Sequence, residues 1–173
     1  KALELSRMLG DKAGEAITTS NIGLSYSKKG DYQSALAYYN RARSISDSLG
    51  DRRNVATTTG LIGSVYLKMG DYAKAEAAII DAINQAKSMR LTFYLQDFYG
   101  NLSEVYISTN RYEMALEAYK THTAYRDSVV NDNNKNEAVR KEMQFQFDKQ
   151  KDQERARQAL LDLAVKEDRN RQQ

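Results

Sequence analysis

Ile22-Gly23-Leu24-Ser25-Tyr26, followed after three residues by Gly30-Asp31-Tyr32, is the stretch that decides the fold. The pattern returns 40 residues later as Ile62-Gly63-Ser64-Val65-Tyr66 with Gly70-Asp71-Tyr72, and again as Leu102-Ser103-Glu104-Val105-Tyr106 with Asn110-Arg111-Tyr112. An internal period of this size predicts a solenoid, in which each unit buries its apolar face by stacking on its neighbours. We therefore expect a binding surface rather than a reaction centre.

Turn residues divide each unit in half. They recur every 20 residues, at Gly10, Gly30, Gly50, Gly70, Arg90 and Asn110. A glycine after a helix end can close that helix in the left-handed conformation, and the aspartate that follows can cap the next helix. Asparagine tolerates this conformation best after glycine. Arg90-Leu91 lacks this chemistry, so Thr92 is the expected cap there. Each unit is predicted to be two helices of about 16 residues.

Apolar and small residues within the second helix of each unit fall on one face, at spacings of three, four and seven. In the three copies these residues are Ala35, Leu36, Tyr39, Ala42, Ile45 and Leu49; Ala75, Ile79, Ala82 and Ala86; and Ala115, Leu116, Tyr119 and Val129. We expect this face to pack between neighbouring helices.

The chain resembles the tetratricopeptide repeat, whose first helix carries a leucine-like residue, a small residue and a tyrosine three residues on. Its second helix carries alanine, an aromatic four residues later and alanine three further. The matching slots read Ile22, Gly23, Tyr26, Ala35, Tyr39, Ala42; Ile62, Gly63, Tyr66, Ala75, Ile79, Ala82; and Leu102, Ser103, Tyr106, Ala115, Tyr119, His122. The resemblance implies an all-α fold, a right-handed α-α superhelix of antiparallel helix pairs followed by one long C-terminal helix. The period of 40 residues is longer than the usual repeat of about 34.

The pattern also predicts the domain organisation. Residues 1–9 match the end of a preceding repeat, which suggests a fragment of a larger protein, and the full repeats cover about 10–50, 51–90 and 91–131. The run Asn131-Asp132-Asn133-Asn134 is a turn and cap signal, so a separate segment is expected over 132–173. This segment reads as a capping and extended helix that leads to a downstream domain, with Val139, Met143 and Phe147 as the capping stripe.

The end of the tail carries an apolar cluster that a lone helix cannot hide. Leu160, Leu161, Leu163 and Val165 are its dimerisation candidates. An exposed helix with such a cluster tends to pair with another helix, as a coiled coil or against a second subunit. Strict heptads are not sustained through the polar stretch before it, so a homodimer through this helix stays one of two open possibilities.

Composition excludes several classes of function. The chain has no cysteine and one histidine, so it has no disulfide framework and no thiolate metal site. Its net charge of +3, with both signs interleaved, is not the charge pattern of a nucleic-acid binder. Most tyrosines fill structural slots of the repeat, so we expect them in the core rather than stacked on bases. No apolar run approaches the roughly 18–20 residues that a membrane span needs. There is no zinc-protease, phosphate-loop or nucleophile-elbow motif. We predict no enzyme activity, no metal and no cofactor, and a structural role for His122.

The concave or inner face is the candidate binding surface, because in this family the first helix of each repeat lines it. Its exposed positions should be Ser20, Asn21, Leu24, Lys28, Ser64, Lys68, Asp97, Asn101 and Glu104. Asn21 and Asn101 can pair with the backbone of an extended peptide, or alternatively with the backbone of the neighbouring repeat. The family's carboxylate clamp for chaperone tails is not expected, because serine, leucine and glycine occupy its places.

These patterns predict a non-catalytic module that binds a protein or peptide. The string from Lys141 to Lys149 is similar to the segment that follows tetratricopeptide repeats in bacterial sensors with a kinase, cyclase or transcription-factor output. That similarity implies the sensor or scaffold region of a membrane-anchored signalling protein, outside the membrane on the periplasmic or cytoplasmic side. The alternative is a purely architectural dimerisation module.

Overall fold

The computed structural model describes the backbone of residues 2–171. The side chains of residues 2, 7, 138, 145, 146, 150, 156, 157 and of all those beyond 158 lie outside the described residues. Helices make up 89% of the structure, and residues 2–171 contain no strand, which confirms the all-α prediction. The helices are α1 Ala2–Met8, α2 Lys12–Lys28, α3 Tyr32–Ser48, α4 Arg52–Lys68, α5 Tyr72–Ser88, α6 Thr92–Ser108 and α7 Tyr112–Arg171.

The chain divides into two compact units, Lys1–Val129 and Val130–Gln173. The first unit contains α1 and three antiparallel helix pairs, in which α2 pairs with α3, α4 with α5, and α6 with the first part of α7. The second unit consists of the rest of α7. Each helix from α2 to α6 has 17 residues, so the 40-residue repeat lengthens both helices of a pair equally.

The predicted turn chemistry is confirmed at five of the six turns. Gly10, Gly30, Gly50, Gly70 and Asn110 all have positive φ, between 58° and 80°. After each glycine, the aspartate side chain accepts a hydrogen bond from the backbone N–H three residues later, at 2.8–3.2 Å. These bonds satisfy one of the free N–H groups at each helix start.

The sixth turn differs from the prediction that Thr92 caps α6. Leu91 is the N-cap of α6 and makes no side-chain capping bond. Its side chain is buried in the core instead, so apolar burial replaces the capping bond. Arg90 takes the left-handed conformation with φ of 55°, at a backbone cost of roughly 1–2 kcal/mol for a residue other than glycine.

The core of the first unit follows the repeat slots. Ala35, Tyr39 and Ala42 of α3 and their counterparts Ala75, Ile79 and Ala82 of α5 are all buried. The same face in α7 is only half-covered, because Ala115 is buried while Leu116 and Tyr119 are exposed. Leu49, expected on the packing face of α3, is also exposed because it is the C-cap residue beyond the last turn.

The turn predicted at residues 131–134 is wrong. α7 continues from Tyr112 to Arg171 as one helix of 60 residues. Asparagine and aspartate disfavour a helix interior by no more than about 0.7 kcal/mol each, and the run contains neither glycine nor proline. The cap signal at Asn131 therefore lacks a residue that would end the helix.

The residues of the predicted capping stripe are exposed. Val139, Met143 and Phe147 lie along the second unit with more than half of each side chain exposed. Their spacing of four places them on one side of α7. The stripe is an exposed apolar face of the helix.

Candidate functional site

The inner face is defined here by the nine predicted binding positions, all of which lie on α2, α4 and α6. Asn21, Leu24, Lys28, Lys68, Asp97 and Glu104 are exposed, whereas Ser20, Ser64 and Asn101 are half-buried. They lie on the first helices of the three repeats at matching offsets, because the period of 40 residues repeats the same helical register.

A cavity of about 470 Å³ opens on this face between α4 and α6. Its lining residues are Thr57, Gly60, Leu61 and Ser64 of α4, Tyr94, Asp97, Phe98, Gly100 and Asn101 of α6, and His122 of α7. Ser64, Asp97 and Asn101 are thus brought together, and the other six predicted positions lie outside the cavity. We call it the α4/α6 cavity.

Gly60 sets the depth of the α4/α6 cavity. A Cβ at Gly60 would overlap the ring of Phe98, so only glycine lets α6 place that aromatic against α4. Phe98 is buried, and its ring lies 6.4 Å from that of Tyr94 in a stacked arrangement. The two rings give the cavity an apolar wall that sequence reasoning missed, since Gly60 reads as an ordinary small residue in a helix.

Three polar side chains of the α4/α6 cavity form no bond within the fold. Neither Ser64, Asn101 nor Asp97 makes a side-chain hydrogen bond or ion pair to another residue whose side chain the structure describes. The same holds for Asn21 on α2, so the alternative of a bond to the neighbouring repeat's backbone is absent for both asparagines. These groups are free to hydrogen-bond a ligand.

Asp97 gives the α4/α6 cavity its only formal charge among the lining residues. Asp97 keeps more than a third of its surface exposed, but lost hydration of its partly covered carboxyl raises the pKa of that group, an effect that the nearby imidazole of His122 opposes. The direction means that the charged form is less well solvated here than in water. Thr57 occupies the position of Asp97 one repeat earlier. The 40-residue period alone could therefore have predicted Thr57 as a further binding position.

His122 lines the α4/α6 cavity and also makes a contact within the fold. Its Nδ1 lies 2.6 Å from the backbone oxygen of Gln96. A carbonyl oxygen only accepts, so Nδ1 carries the hydrogen and Nε2 of the neutral ring is left as an acceptor. The ring also limits Gly100, where a Cβ would lie 3.2 Å from Nδ1.

Ser103 shows how the third repeat fills the glycine slot. Its side chain is buried, and its hydroxyl donates a hydrogen bond of 2.9 Å to the backbone oxygen of Ala115. In the second repeat the same slot is Gly63, against which Ile79 packs so closely that a Cβ would overlap it. The serine joins α6 to α7 with a hydrogen bond where glycine permits close apolar contact.

Within the described part of the chain, no three histidine or acidic side chains are grouped closely enough to hold a metal ion. No helix there combines the length and hydrophobicity that a membrane crossing requires. The dimerisation candidates have side chains outside the described residues; they are Leu160, Leu161, Leu163 and Val165.

Comparison with known proteins identifies the repeat. Two sequence profiles described as tetratricopeptide repeat match this chain, one over residues 1–48 and 14–88 and the other over 96–121. No protein of curated function matches.

Solved structures share the fold. The TPR domain of Arabidopsis FLU has a TM-score of 0.63 at 19% identity, over 68% of this chain and 98% of that one. BtubC from P. vanneervenii has a TM-score of 0.64 at 18% identity, over 73% of this chain and 53% of that one. Identities this low show the fold alone. Since the first profile covers residues 1–88, half of the sequence, the chain belongs to the tetratricopeptide repeat family.

Proposed function

We propose that this chain is a non-catalytic module that binds an extended segment of another protein on its inner face. Tetratricopeptide repeats suggest a protein-interaction module, and the fold is generally a non-catalytic scaffold. The observation that carries the proposal is the α4/α6 cavity, where Ser64, Asp97 and Asn101 present polar groups that form no bond to any other described residue. Unused polar groups in a half-apolar cleft are what peptide backbone and side chains require.

A peptide-array screen repeated with Asn21→Ala and Asn101→Ala tests this proposal. If an asparagine side chain hydrogen-bonds the backbone of the peptide, its replacement by alanine should weaken peptide binding about fivefold. Asn84→Ala is the matched control, because Asn84 is exposed on the second helix α5. Binding that all three variants retain at full strength would remove the inner face from the proposal.

The finer proposal places this module in a bacterial signalling protein, as its sensor or scaffold region. Its support is the similarity of residues 141–149 to segments that follow such repeats in bacterial sensors. In that case a change in the pairing or tilt of α7 on ligand binding would bias the output. The coding sequence downstream of Gln173 tests this: a membrane span with a kinase, cyclase or transcription-factor domain supports it, and an unrelated domain contradicts it.

Dimerisation through α7 is the second candidate function. The predicted contact is the apolar cluster of Leu160, Leu161, Leu163 and Val165, and the exposed stripe of Val139, Met143 and Phe147 adds a second apolar face on the same helix. Sedimentation of the full chain should then report a dimer. The chain without residues 148–173, and the full chain with Met143→Glu, should sediment as monomers. A monomeric full chain would exclude this function.

A further inference from the structure

We propose that the α4/α6 cavity takes the cationic side chain, lysine or arginine, of the bound peptide. This inference rests on the proposed peptide-binding function and names the side-chain class that its inner face selects. It is carried by the walls of the cavity, by the charge and acceptors that they present, and by the order of charges along the inner face.

The walls suit a long side chain with an apolar stem. Tyr94 and Phe98 stack on the α6 side, and Leu61 lies on the α4 side. Lysine and arginine bury their methylene groups on apolar surface and keep the charged end among polar groups. Aromatic faces within about 6 Å also attract a cation directly.

The acceptors of the cavity lie where a charged end would need them. The Asp97 carboxylate has no hydrogen bond or ion pair to another described residue. The Nδ1–H group of His122 already donates to the backbone oxygen of Gln96, so the Nε2 atom of the neutral ring can accept a hydrogen bond from the ligand. Asn101 adds an amide oxygen. No lysine or arginine lines the cavity to neutralise these groups.

Partial burial makes a cation the preferred partner of Asp97. The raised pKa of its carboxyl reflects lost hydration of the charged form. A donor that carries positive charge replaces that hydration more strongly than a neutral donor, because charge-assisted hydrogen bonds are about twice as strong as neutral ones.

The inner face also has an order of charge that would direct such a peptide. Lys28 and Lys68 occupy the same slot on α2 and α4, whereas α6 has Ser108 there. Asp97 and Glu104 bring negative charge to α6 only, where α4 has Thr57 and Ser64. A bound segment would therefore place its basic residue at the third repeat, and acidic or neutral residues at the first two.

A positional peptide library on the full chain tests the inference. The probe is an array of random heptapeptides with one central residue fixed as lysine, arginine, norleucine or glutamate. Wild-type protein should prefer the lysine and arginine sets over norleucine by about tenfold. Asp97→Asn should remove this preference. Asp81→Asn, which makes the same change in net charge on an exposed residue of the second helix α5, should keep the preference.

A second readout locates the bound cation. His122 is the only histidine, so in protein without a histidine tag its ring proton signals in NMR are assigned without further work. The selected lysine peptide should shift them, and its norleucine counterpart should shift them less at equal occupancy. Binding without a lysine or arginine preference, or a preference that survives Asp97→Asn, overturns the inference and leaves the proposed function standing. If no set binds at low salt, the proposed function fails as well.

Discussion

The first two repeats and the third use the same sequence slots and bury them differently. The aromatic or large residue of the second helix is Tyr39 with 1% of its surface exposed, Ile79 with 0% and Tyr119 with 54%. In the first two repeats the next helix pair covers this position. No helix of the first unit follows α7 to cover Tyr119. An identical residue can thus be core in one repeat and surface in another, because a solenoid position is completed by its neighbour.

The third repeat also departs from the others at one small-residue slot, and the residue in that slot lines the α4/α6 cavity. His122 stands where Ala42 and Ala82 stand in the earlier copies. Both alanines are buried, whereas the imidazole is half-buried and lines the cavity. The region that deviates from the repeat pattern is therefore the region that offers chemistry to a ligand.

The largest expected effect compares Tyr39→Ala with Tyr119→Ala. Tyr39→Ala should cost about 3–5 kcal/mol of unfolding free energy, because it leaves a cavity in the packed core. Tyr119→Ala should cost less than about 1 kcal/mol, since its side chain is half in solvent already. Urea unfolding followed by circular dichroism measures both. Equal losses would show that the end face is covered, for example by a second copy.

A histidine swap between repeats should have the next largest effect. Ala82→His forces an imidazole into a fully buried site and should cost about 1–3 kcal/mol by overpacking. His122→Ala loses the bond to the Gln96 oxygen and should cost about 1 kcal/mol. Thermal unfolding of the two variants checks this order. A larger loss for His122→Ala would mean that the imidazole holds the third repeat together.

The turns offer a comparison of backbone strain. Arg90→Gly should stabilise the protein by about 0.5–1 kcal/mol, because glycine adopts the left-handed conformation without penalty. Gly70→Ala should destabilise it by about 1 kcal/mol, although no atom lies within 4 Å of the added Cβ. Chemical unfolding of both single variants measures the two signs. Destabilisation by Arg90→Gly would show that the arginine side chain contributes more than its backbone costs.

Two carboxylates should give the smallest effects, with opposite signs. The Arg111 guanidinium lowers the pKa of Glu76 through paired hydrogen bonds of 2.9 and 2.6 Å. This pair stabilises the fold above the ordinary carboxyl pKa of 4.5, and the stabilisation is lost as pH falls through the lowered value. Glu76→Gln should therefore destabilise at pH 7, by less than about 1 kcal/mol.

Asp97 should behave in the opposite way. Burial raises its pKa above the ordinary value of 3.8, so its charge disfavours the folded state at neutral pH. That cost disappears as pH falls below the ordinary value. Asp97→Asn should stabilise the protein slightly at pH 7, because it removes this unfavourable charge. Thermal unfolding at pH 7 and pH 3 tests both carboxylates, and destabilisation by Asp97→Asn at pH 7 would contradict the raised pKa of Asp97.

The sequence predicts the repeat, the turns and the helix lengths because each depends on local residues. Gly30 ends one helix and Asp31 caps the start of the next, and neither role depends on residues that are distant in the sequence. The sequence-based prediction fails at two places, for a tertiary reason at Leu91 and for a local one at residues 131–134. Leu91 replaces a polar cap by burying its side chain, and residues 131–134 carry cap residues without a helix-ending glycine.

Only part of the α4/α6 cavity was predictable. Ser64, Asp97 and Asn101 follow from helical register on the first helices. Tyr94, Phe98 and His122 do not, because the position of Phe98 depends on Gly60 across the helix pair and that of His122 on a carbonyl of α6. Such side chains become visible only when the packing between repeats is known.

Site-specific photo-crosslinking tests the central claim most directly. A benzophenone side chain placed at Leu24 or Glu104, both exposed on the inner face, and at Asp81 on the second helix α5, is irradiated with a lysine-containing peptide selected from the library. The account predicts covalent adducts at positions 24 and 104, competed by unlabelled peptide, and none at 81. Adducts at 81 alone would show that the module binds its partner on the surface of the second helices, and would contradict the account.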